Sequence, residues 1–406
     1  MALCAFYVKL TASARIHAGD GIIMTSGGAT PGNSEGRHQA CVWAASRGYT
    51  SDVLRQITRR AALSIPTLTP LLSAADAATS RARGMIEDVR ASQKVPGISA
   101  AVWKNGAVVW SESLGQSDLE DGAPVSLRTR FRIGSLSKLL TSAAAARLYE
   151  QGLLDLDAPI QQYVPDFPSK SGKITARLLL GHLSGLRHYG PTEYLNNKRY
   201  ASITETLRTI QDEPLLQPPG TKYSYSSYGF NLLGAALEGA ASQEFLLLIQ
   251  RQVCEPLHIE STTADDNSKI VPGRSRFYSL TGGEIRNSPY TDLSDRWPSG
   301  GFLSTTEDLL HFGAAHLGGA FLKSNTCRLM FTPQRTVDGK ETGVGFGWRI
   351  ATLANRRVYH HGGDSIGGRA FLLLWPDNSI VVSFVSNLDR IKFTETEAMA
   401  LADAFA

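Results

Sequence analysis

Cysteine is scarce in this chain of 406 residues, and the four that occur, at positions 4, 41, 254 and 327, lie far apart. None is paired at C-x-x-C spacing, and no group of histidines and cysteines has the spacing of metal ligands. A structural zinc site is therefore not expected, and we predict neither a metal ion nor a cofactor. So few cysteines neither require nor exclude an oxidising compartment.

Long apolar runs and concentrated charge are also missing. No stretch of eighteen or more apolar residues occurs, so a transmembrane segment is not expected. The formal net charge is +4, and the basic residues are scattered without a tract of five or more, which argues against nucleic acid as a partner. No glycine-rich loop carries the lysine that cradles a phosphate, so a nucleotide is not expected either.

The first 79 residues differ in composition from the remainder. Before Ala75 the acidic residues are Asp20, Glu35 and Asp52, against seven lysines and arginines. We interpret residues 1–79 as a leader or a disordered segment. An export signal ending at Ala75-Asp76-Ala77 and a mitochondrial transit peptide both stay open as targeting alternatives. The chain would be exported (periplasmic or secreted) in a bacterium, or mitochondrial in a eukaryote.

Residues 80–406 show strand signals at both ends and helix signals between them. Lys104-Asn105-Gly106 separates two β-rich runs, and Asn-Gly between strands is the strongest short-range hairpin signal. Pro376-Asp377-Asn378 forms a similar turn near the C-terminus. Helices are predicted at 80–91, 137–151, 175–183, 202–211, 228–240, 244–253, 306–317 and 394–405. We predict an α+β fold with one antiparallel sheet built from both chain ends, flanked by helices, and a helix-rich inserted region.

One helix begins unusually. FRIGSLSKLLTSAAAARLYEQG, from Phe131 to Gly152, places Ser135 three residues before Lys138. As structure alone, Ser135 or Ser137 is an N-cap and Gly152 is the glycine after the helix. As chemistry, residues i and i+3 share a helix face, and burial of the amine lowers its pKa, so that it can take the serine proton. The tetrapeptide alone does not decide, since about one chance match is expected in such a chain.

Two later stretches change this balance: PPGTKYSYSSYGFNLLG at 218–234 and HHGGDSIGG at 360–368. The chain thus carries Ser-x-x-Lys, Tyr-Ser-Ser and His-Gly-Gly elements in this order. With these elements it resembles the serine β-lactamase and penicillin-binding-protein superfamily. Within it the likeness is closer to class C β-lactamases, D-alanyl carboxypeptidases and family VIII carboxylesterases. LDLDAPIQQYVPDFP, HLSGLRHY and GGFLST are similar to stretches of the LACTB-like serine β-lactamase-like proteins. The resemblance covers the chain from about residue 80 onward, and implies the β-lactamase/transpeptidase-like fold.

The resemblance implies a role for each motif residue. Ser135 would be the acylated nucleophile and Lys138 its base or proton shuttle. Tyr225 matches the tyrosine of the family's Tyr-x-Asn motif and would exchange a proton with the serine, the leaving group or water. Neighbouring cations would have to lower the tyrosine pKa, or share its proton, for it to act as a base. Ser227 stands where the family has asparagine, which puts efficient recognition of a β-lactam or of D-Ala-D-Ala in doubt.

Histidine replaces the lysine of the family's Lys-Thr-Gly element. By resemblance, His361 would donate to a substrate carboxylate or ester oxygen, although its charge falls away above its pKa. Gly363 would let the strand approach the substrate, and the backbone N–H of Asp364 would join that of the nucleophile in an oxyanion hole. His360 is the nearest rival of His361. We interpret His182, in GHLSGL, as a structural histidine at a helix end.

These assignments predict a serine hydrolase that acts through an acyl-enzyme on amide or ester bonds. A LACTB-like peptidase or carboxylesterase with weak β-lactamase activity fits them. The partner would be a small-molecule ester, a β-lactam or a peptide. A penicillin-binding D-alanyl carboxypeptidase and a mainly structural, filament-forming scaffold stay open as alternatives, and a homo-oligomer is compatible with each.

Overall fold

The computed structural model describes residues 69–406, so most of the predicted leader lies outside the described residues. The α-helices, numbered α1 to α11 in chain order, are Thr69–Ser92, Ser137–Glu150, Ala176–Leu180, Ile203–Thr206, Ser227–Ala241, Phe245–Ile249, Glu255–Leu257, Trp297–Gly300, Thr306–Gly318, Ser324–Met330 and Glu395–Ala404. The strands, β1 to β12, are Gly97–Lys104, Ala107–Asp118, Ala123–Pro124, Phe131–Arg132, Thr263–Ala264, Tyr278–Thr281, Glu284–Asn287, Phe302–Ser304, Arg349–Leu353, Arg356–Ser365, Gly368–Trp375 and Ile380–Ser386.

A seven-stranded sheet joins the two ends of the described chain in the order β3-β2-β1-β12-β11-β10-β9. Strand β1 pairs antiparallel with β12, with Ile98 opposite Ser386 and Lys104 opposite Ile380. The β1–β2 turn has Asn105 and Gly106 at φ of +49° and +95°, as the Asn-Gly signal predicts. The predicted α+β fold is therefore confirmed, and its sheet is built from both chain ends.

Both faces of this sheet are covered. Side chains of β11 alternate between two buried clusters, with Leu372 and Leu374 in one and Phe371 and Leu373 in the other. Helices α1 and α11 cover the second cluster, whereas α2, α5 and α9 pack in the first. Because successive strand residues point to opposite faces, a sheet buried on both sides needs continuous apolar strands, which β11 and β12 have.

Several helices differ in length from the predicted ones. Helix α1 begins at Thr69, whereas the predicted helix began at residue 80. The domain boundary between residues 79 and 80 stays a prediction. Helix α3 ends at Leu180, because Gly181 follows as its cap and His182 takes a left-handed φ of +56°. The helix predicted at 244–253 divides into α6 and a π-helical turn, Gln250–Cys254.

A three-stranded sheet, β4-β8-β5, lies in the inserted region and was not predicted. It pairs Phe131 with Ser304 and Arg132 with Leu303, which brings the start of the Ser-x-x-Lys helix next to the stretch before β8. Within residues 69–406, no single helix has the length and hydrophobicity to cross a membrane. Helix α5 and the helical segment Phe245–Leu257 have the required length and hydrophobicity only as a pair, and the pair is bent by 79°.

Candidate active site

Ser135 lies on a short 3₁₀ turn, Gly134–Leu136, that leads into α2. Its hydroxyl caps neither this turn nor the helix. Ser137, by contrast, is buried and tied to the backbone, since its hydroxyl donates to the carbonyl of Gly134 (2.7 Å) and accepts from the N–H of Phe302 (3.2 Å). Of the two serines, Ser135 is thus the one whose hydroxyl faces the cleft.

Two functional side chains meet the hydroxyl of Ser135. The phenol of Tyr225 donates to Ser135 Oγ at 2.8 Å, and Lys138 Nζ lies 3.1 Å from the same atom. The amine also lies 4.9 Å from the centre of the Tyr225 ring. The three residues that sequence analysis assigned to catalysis therefore form one hydrogen-bonded group.

Lys138 is completely buried, which penalises its charged form and holds its pKa well below the ordinary value of 10.5. The positive charge of Arg296 lowers this pKa further. Besides Ser135, the amine lies 3.0 Å from Ser227 Oγ and 2.6 Å from the carbonyl oxygen of Ser299. A neutral amine can donate to these two oxygens and keep its lone pair for the proton of Ser135.

Ser227 has a place in this arrangement that the sequence did not indicate. It is the first residue of α5, after the N-cap Ser226, and its buried hydroxyl is a partner of the lysine. The carbonyl of Ser299 was not identified from the sequence, because a backbone acceptor leaves no residue-type signal. Its position follows from the pairing of β8 with β4.

Burial raises the pKa of Tyr225 above its ordinary value of 10.0, and the hydrogen bond to Ser135 opposes this only in part. The lowered pKa that a basic tyrosine would need is therefore absent. Tyr225 is a neutral phenol that donates its proton, whereas Lys138 is the group suited to accept one.

Strand β10 packs backbone-to-backbone against the serine turn. A Cβ added at Gly363 would lie 1.9 Å from the carbonyl oxygen of Ile133, and one at Gly134 would lie 2.4 Å from that of Asp364. Glycine is thus required at both positions by close approach, and at Gly134 also by its φ of +49°. Gly363 is buried beneath the cleft, while Asp364 lines it.

His361 is buried, and desolvation together with the charge of Arg349 lowers its pKa well below 6.5. Its Nδ1 donates to the carbonyl of Gly362 at 2.6 Å, so the neutral ring presents Nε2 as an acceptor. The expected donation to a substrate carboxylate does not fit this tautomer. His360, the rival residue, also lines the cleft, with a pKa lowered by burial to about 4.

The cleft has a volume of about 400 Å³. Three arginines line it, of which Arg296 pairs with Asp295 and Arg369 pairs with Asp364. Within residues 69–406, Arg349 on β9 has no carboxylate at ion-pair distance. The cleft is also lined by aromatic rings, including three that sequence analysis did not assign, although they lie in or near HLSGLRHY: His188, Tyr189 and Tyr194.

A metal site is not apparent in the part of the chain that the structure describes. No group of three or more His, Cys, Asp or Glu side chains among those residues is arranged to hold a metal ion.

Several known proteins are similar to this chain. The human serine beta-lactamase-like protein LACTB, mitochondrial, is 28% identical over 428 residues, covering 79% of this chain and 78% of that protein. The octameric penicillin-binding protein homologue from Pyrococcus abyssi is 23% identical, with a TM-score of 0.70 over 80% of this chain and 77% of its own. EstCE1, a hydrolase with promiscuous acyltransferase activity, is 22% identical, with a TM-score of 0.70 over 82% of this chain and 99% of its own.

The structural relatives share the fold, and the family assignment rests on the sequence profile. The profile described as Beta-lactamase matches residues 82–406, which is most of the chain. The matched region contains the serine turn, the lysine, the tyrosine segment and strand β10. This chain therefore belongs to the beta-lactamase family.

Proposed function

We propose that this chain is a serine hydrolase that forms an acyl-enzyme at Ser135 on an amide or ester substrate. The observation that carries the proposal is the contact of one cleft hydroxyl with a buried amine and a phenol. Ser135 Oγ lies 3.1 Å from Lys138 Nζ and 2.8 Å from Tyr225 Oη. A buried base beside a half-buried nucleophile that lines the cleft is an arrangement that can activate a serine hydroxyl.

The first half of the reaction transfers the acyl group to the enzyme. Lys138 takes the proton of Ser135 as Oγ attacks the carbonyl carbon, and the carbonyl oxygen becomes an oxyanion. The backbone N–H groups of Ser135 and Asp364 would hold this oxyanion, since β10 packs against the serine turn. The leaving group departs with a proton from the Tyr225 phenol, which regains one from Lys138.

The second half returns the enzyme to its starting state. Water attacks the acyl carbon, and its proton passes to the neutral amine of Lys138, directly or through Tyr225. Collapse of the intermediate breaks the bond to Ser135 Oγ, which recovers a proton, and the carboxylic acid leaves. Each cycle consumes one water and leaves all three residues in their original protonation states.

Arg349 favours a substrate that carries a carboxylate near the scissile bond. The neutral His361 does not supply the positive charge that lysine supplies in the Lys-Thr-Gly element. Arg349 lines the same cleft, and its charge contributes to lowering the pKa of His361. A peptide or ester with a nearby carboxylate would find its cation there.

Turnover of a substrate panel tests the proposal. p-Nitrophenyl butyrate, nitrocefin and a peptide anilide should distinguish ester, β-lactam and amide hydrolysis. We expect turnover of the ester or the anilide, and its loss in Ser135→Ala. Equal turnover in that variant would contradict the proposal. Because the Pyrococcus homologue is octameric, light scattering on the same sample tests whether this chain also forms a homo-oligomer.

A further inference from the structure

Two histidines flank Tyr225 in a way that the reaction described above does not use. The ring of His182 lies 4.4 Å from the Tyr225 ring, centre to centre, at an interplanar angle of 35°. The ring of His188 lies 5.3 Å from it, nearly perpendicular at 79°. Both residues belong to the loop that follows α3, so one loop contacts the tyrosine with two rings.

Both histidines also bind the backbone that follows Tyr225. His182 Nδ1 accepts from the N–H of Ser226, and His188 Nδ1 accepts from the N–H of Ser227, each at 3.2 Å. These amides belong to the N-cap and first residue of α5, and such N–H groups have no partner within the helix. In addition, the carbonyl of His182 accepts from the N–H of Ser224 at 2.9 Å.

The acceptor role fixes the chemical state of each ring. A ring that accepts at Nδ1 carries its proton at Nε2 and is neutral. The Nε2–H of His188 is then donated to the hydroxyl of Tyr194 at 2.7 Å. Nε2 of His182 is buried without a hydrogen-bond partner among the described residues, which does not favour histidine there on structural grounds.

We propose that His182 and His188 are positioning residues that hold the phenol of Tyr225 at the reaction centre. This inference rests on the function proposed above. The two rings fix the orientation of the phenol, and the two Nδ1 bonds fix the backbone that follows Tyr225. A displacement of about 1 Å at a reacting group can lower a rate about 100-fold.

Burial keeps both rings neutral, and the positive charges of Arg349 near His182 and of Arg296 near His188 add to its effect. Burial lowers the pKa of His188 to about 4 and that of His182 well below 6.5. The ionisable groups that face His182 are Lys138, His361, Arg349 and His188, together with the phenols of Tyr223 and Tyr225. Those that face His188 are Lys138, Arg296, Arg187 and Glu193, together with the phenols of Tyr189, Tyr194 and Tyr225.

Two kinds of substitution, both made at His188, separate the effect of the hydrogen bond from that of the ring. Asparagine keeps an acceptor near the place of Nδ1 and tolerates left-handed backbone, but removes the ring. Phenylalanine keeps a ring and removes the acceptor. His316→Asn is the matched control, because His316 is equally buried but bonds within α9, to the carbonyl of Phe312 at 2.7 Å, outside the cleft.

The experiment measures the acylation rate of the full chain with a fluorophosphonate, and ester turnover, for His188→Asn, His188→Phe and His182→Asn. Each variant is also made in a Tyr225→Phe background. We expect His188→Phe and His182→Asn to lower the acylation rate about 10- to 100-fold. The acylation rate of His188→Asn should fall less than that of His188→Phe. His316→Asn should be acylated at the wild-type rate. In the Tyr225→Phe background the losses should shrink to about threefold or less, because the phenol they position is gone.

Two results would overturn the inference while the proposed function stands. One is an active wild-type enzyme whose histidine variants acylate at the wild-type rate. The other is a loss that stays the same size with and without the Tyr225 hydroxyl, since a merely structural role would act independently of that group. A wild-type chain that is not acylated at Ser135 would instead overturn the proposed function, and this inference with it. If the His182 variant does not fold, the His188 pair decides.

Discussion

The amine of Lys138 lies 3.1 Å from the hydroxyl oxygen of Ser135, although the lysine is entirely buried. A buried lysine is normally paired with a carboxylate. Here the three groups within hydrogen-bond distance of the amine are two serine hydroxyls and a backbone carbonyl, and the charge of Arg296, which has the same sign, lowers its pKa further. This surrounding keeps the lysine neutral and therefore basic, which is the property that a serine nucleophile requires.

Removal of the base should leave a folded but slow enzyme. We expect Lys138→Ala to lower the acylation rate about 10²- to 10⁴-fold, because general-base catalysis contributes on that order. Lys138→Arg should be equally slow, since a guanidinium stays charged and cannot accept the proton. Single-turnover kinetics with p-nitrophenyl butyrate measure both. A normal acylation rate in either variant would mean that Lys138 is only a residue of the helix.

The contact between β10 and the serine turn offers a matched pair of glycines. In Gly363→Ala the new Cβ would meet the carbonyl oxygen of Ile133 at 1.9 Å, so the strand or the turn must move. We expect a loss of about 1–3 kcal/mol in the free energy of unfolding and at least about 100-fold in turnover. In Gly362→Ala the nearest atoms, from Arg369 and Phe371, are 3.4 Å away, and the losses should be much smaller. Similar thermal melting and activity in the two variants would refute this reading of the contact.

Arg349 should set the preference for charged substrates. The ratio of kcat/KM for p-nitrophenyl hydrogen glutarate to that for p-nitrophenyl butyrate should fall about tenfold or more in Arg349→Ala, because a hydrogen bond between charged groups is lost. Arg357→Ala is the control, since Arg357 lies on the adjacent strand β10 outside the cleft. An unchanged ratio in Arg349→Ala would exclude this arginine from substrate recognition.

Stability should decrease in mild acid because buried histidines are held neutral. Burial lowers the pKa of His316 and of His360 from 6.5 to about 4. Between these two values the unfolded chain binds protons at these residues and the folded chain does not. Stability is therefore fully present above pH 6.5 and falls as the pH drops toward 4, by about 1.4 kcal/mol per pH unit for each histidine.

Urea unfolding at pH 7 and pH 5 tests this dependence. His316→Asn should be less stable at pH 7 but should show a shallower decline between the two values, because one titrating group has been removed. A decline as steep as that of the wild-type chain would show that His316 titrates at its ordinary pKa in the folded state.

Sequence alone predicted the architecture well because local signals were strong where the sheet is built. Asn105-Gly106 has the turn chemistry of a hairpin, and β11 and β12 are mainly apolar. The short strands of the second sheet were missed, since β4, β5 and β8 have two or three residues each and carry no periodicity. Long-range pairing, rather than local propensity, defines them.

The site was predictable to the extent that side-chain type carries the chemistry. Ser135 and Lys138 were assigned from the Ser-x-x-Lys motif and Tyr225 from the resemblance to the family's Tyr-x-Asn motif, and the structure brings them together. The tautomer of His361 was not predictable, because it depends on the carbonyl of Gly362 turning toward the ring. Equally, the raised pKa of Tyr225 follows from burial that spacing does not reveal.

The central claim is that Ser135 is the residue acylated, and intact-protein mass spectrometry tests it most directly. The full chain is treated separately with a fluorophosphonate and with a fluorescent penicillin, then digested to map the adduct. Ser142→Ala serves as the control, because Ser142 is a buried serine of the same helix whose hydroxyl has no hydrogen-bond partner among the described residues. We predict one adduct, on Ser135, in the wild-type chain and in the control, and none in Ser135→Ala. Labelling that persists in Ser135→Ala, or no adduct on the wild-type chain with either reagent, would contradict the account.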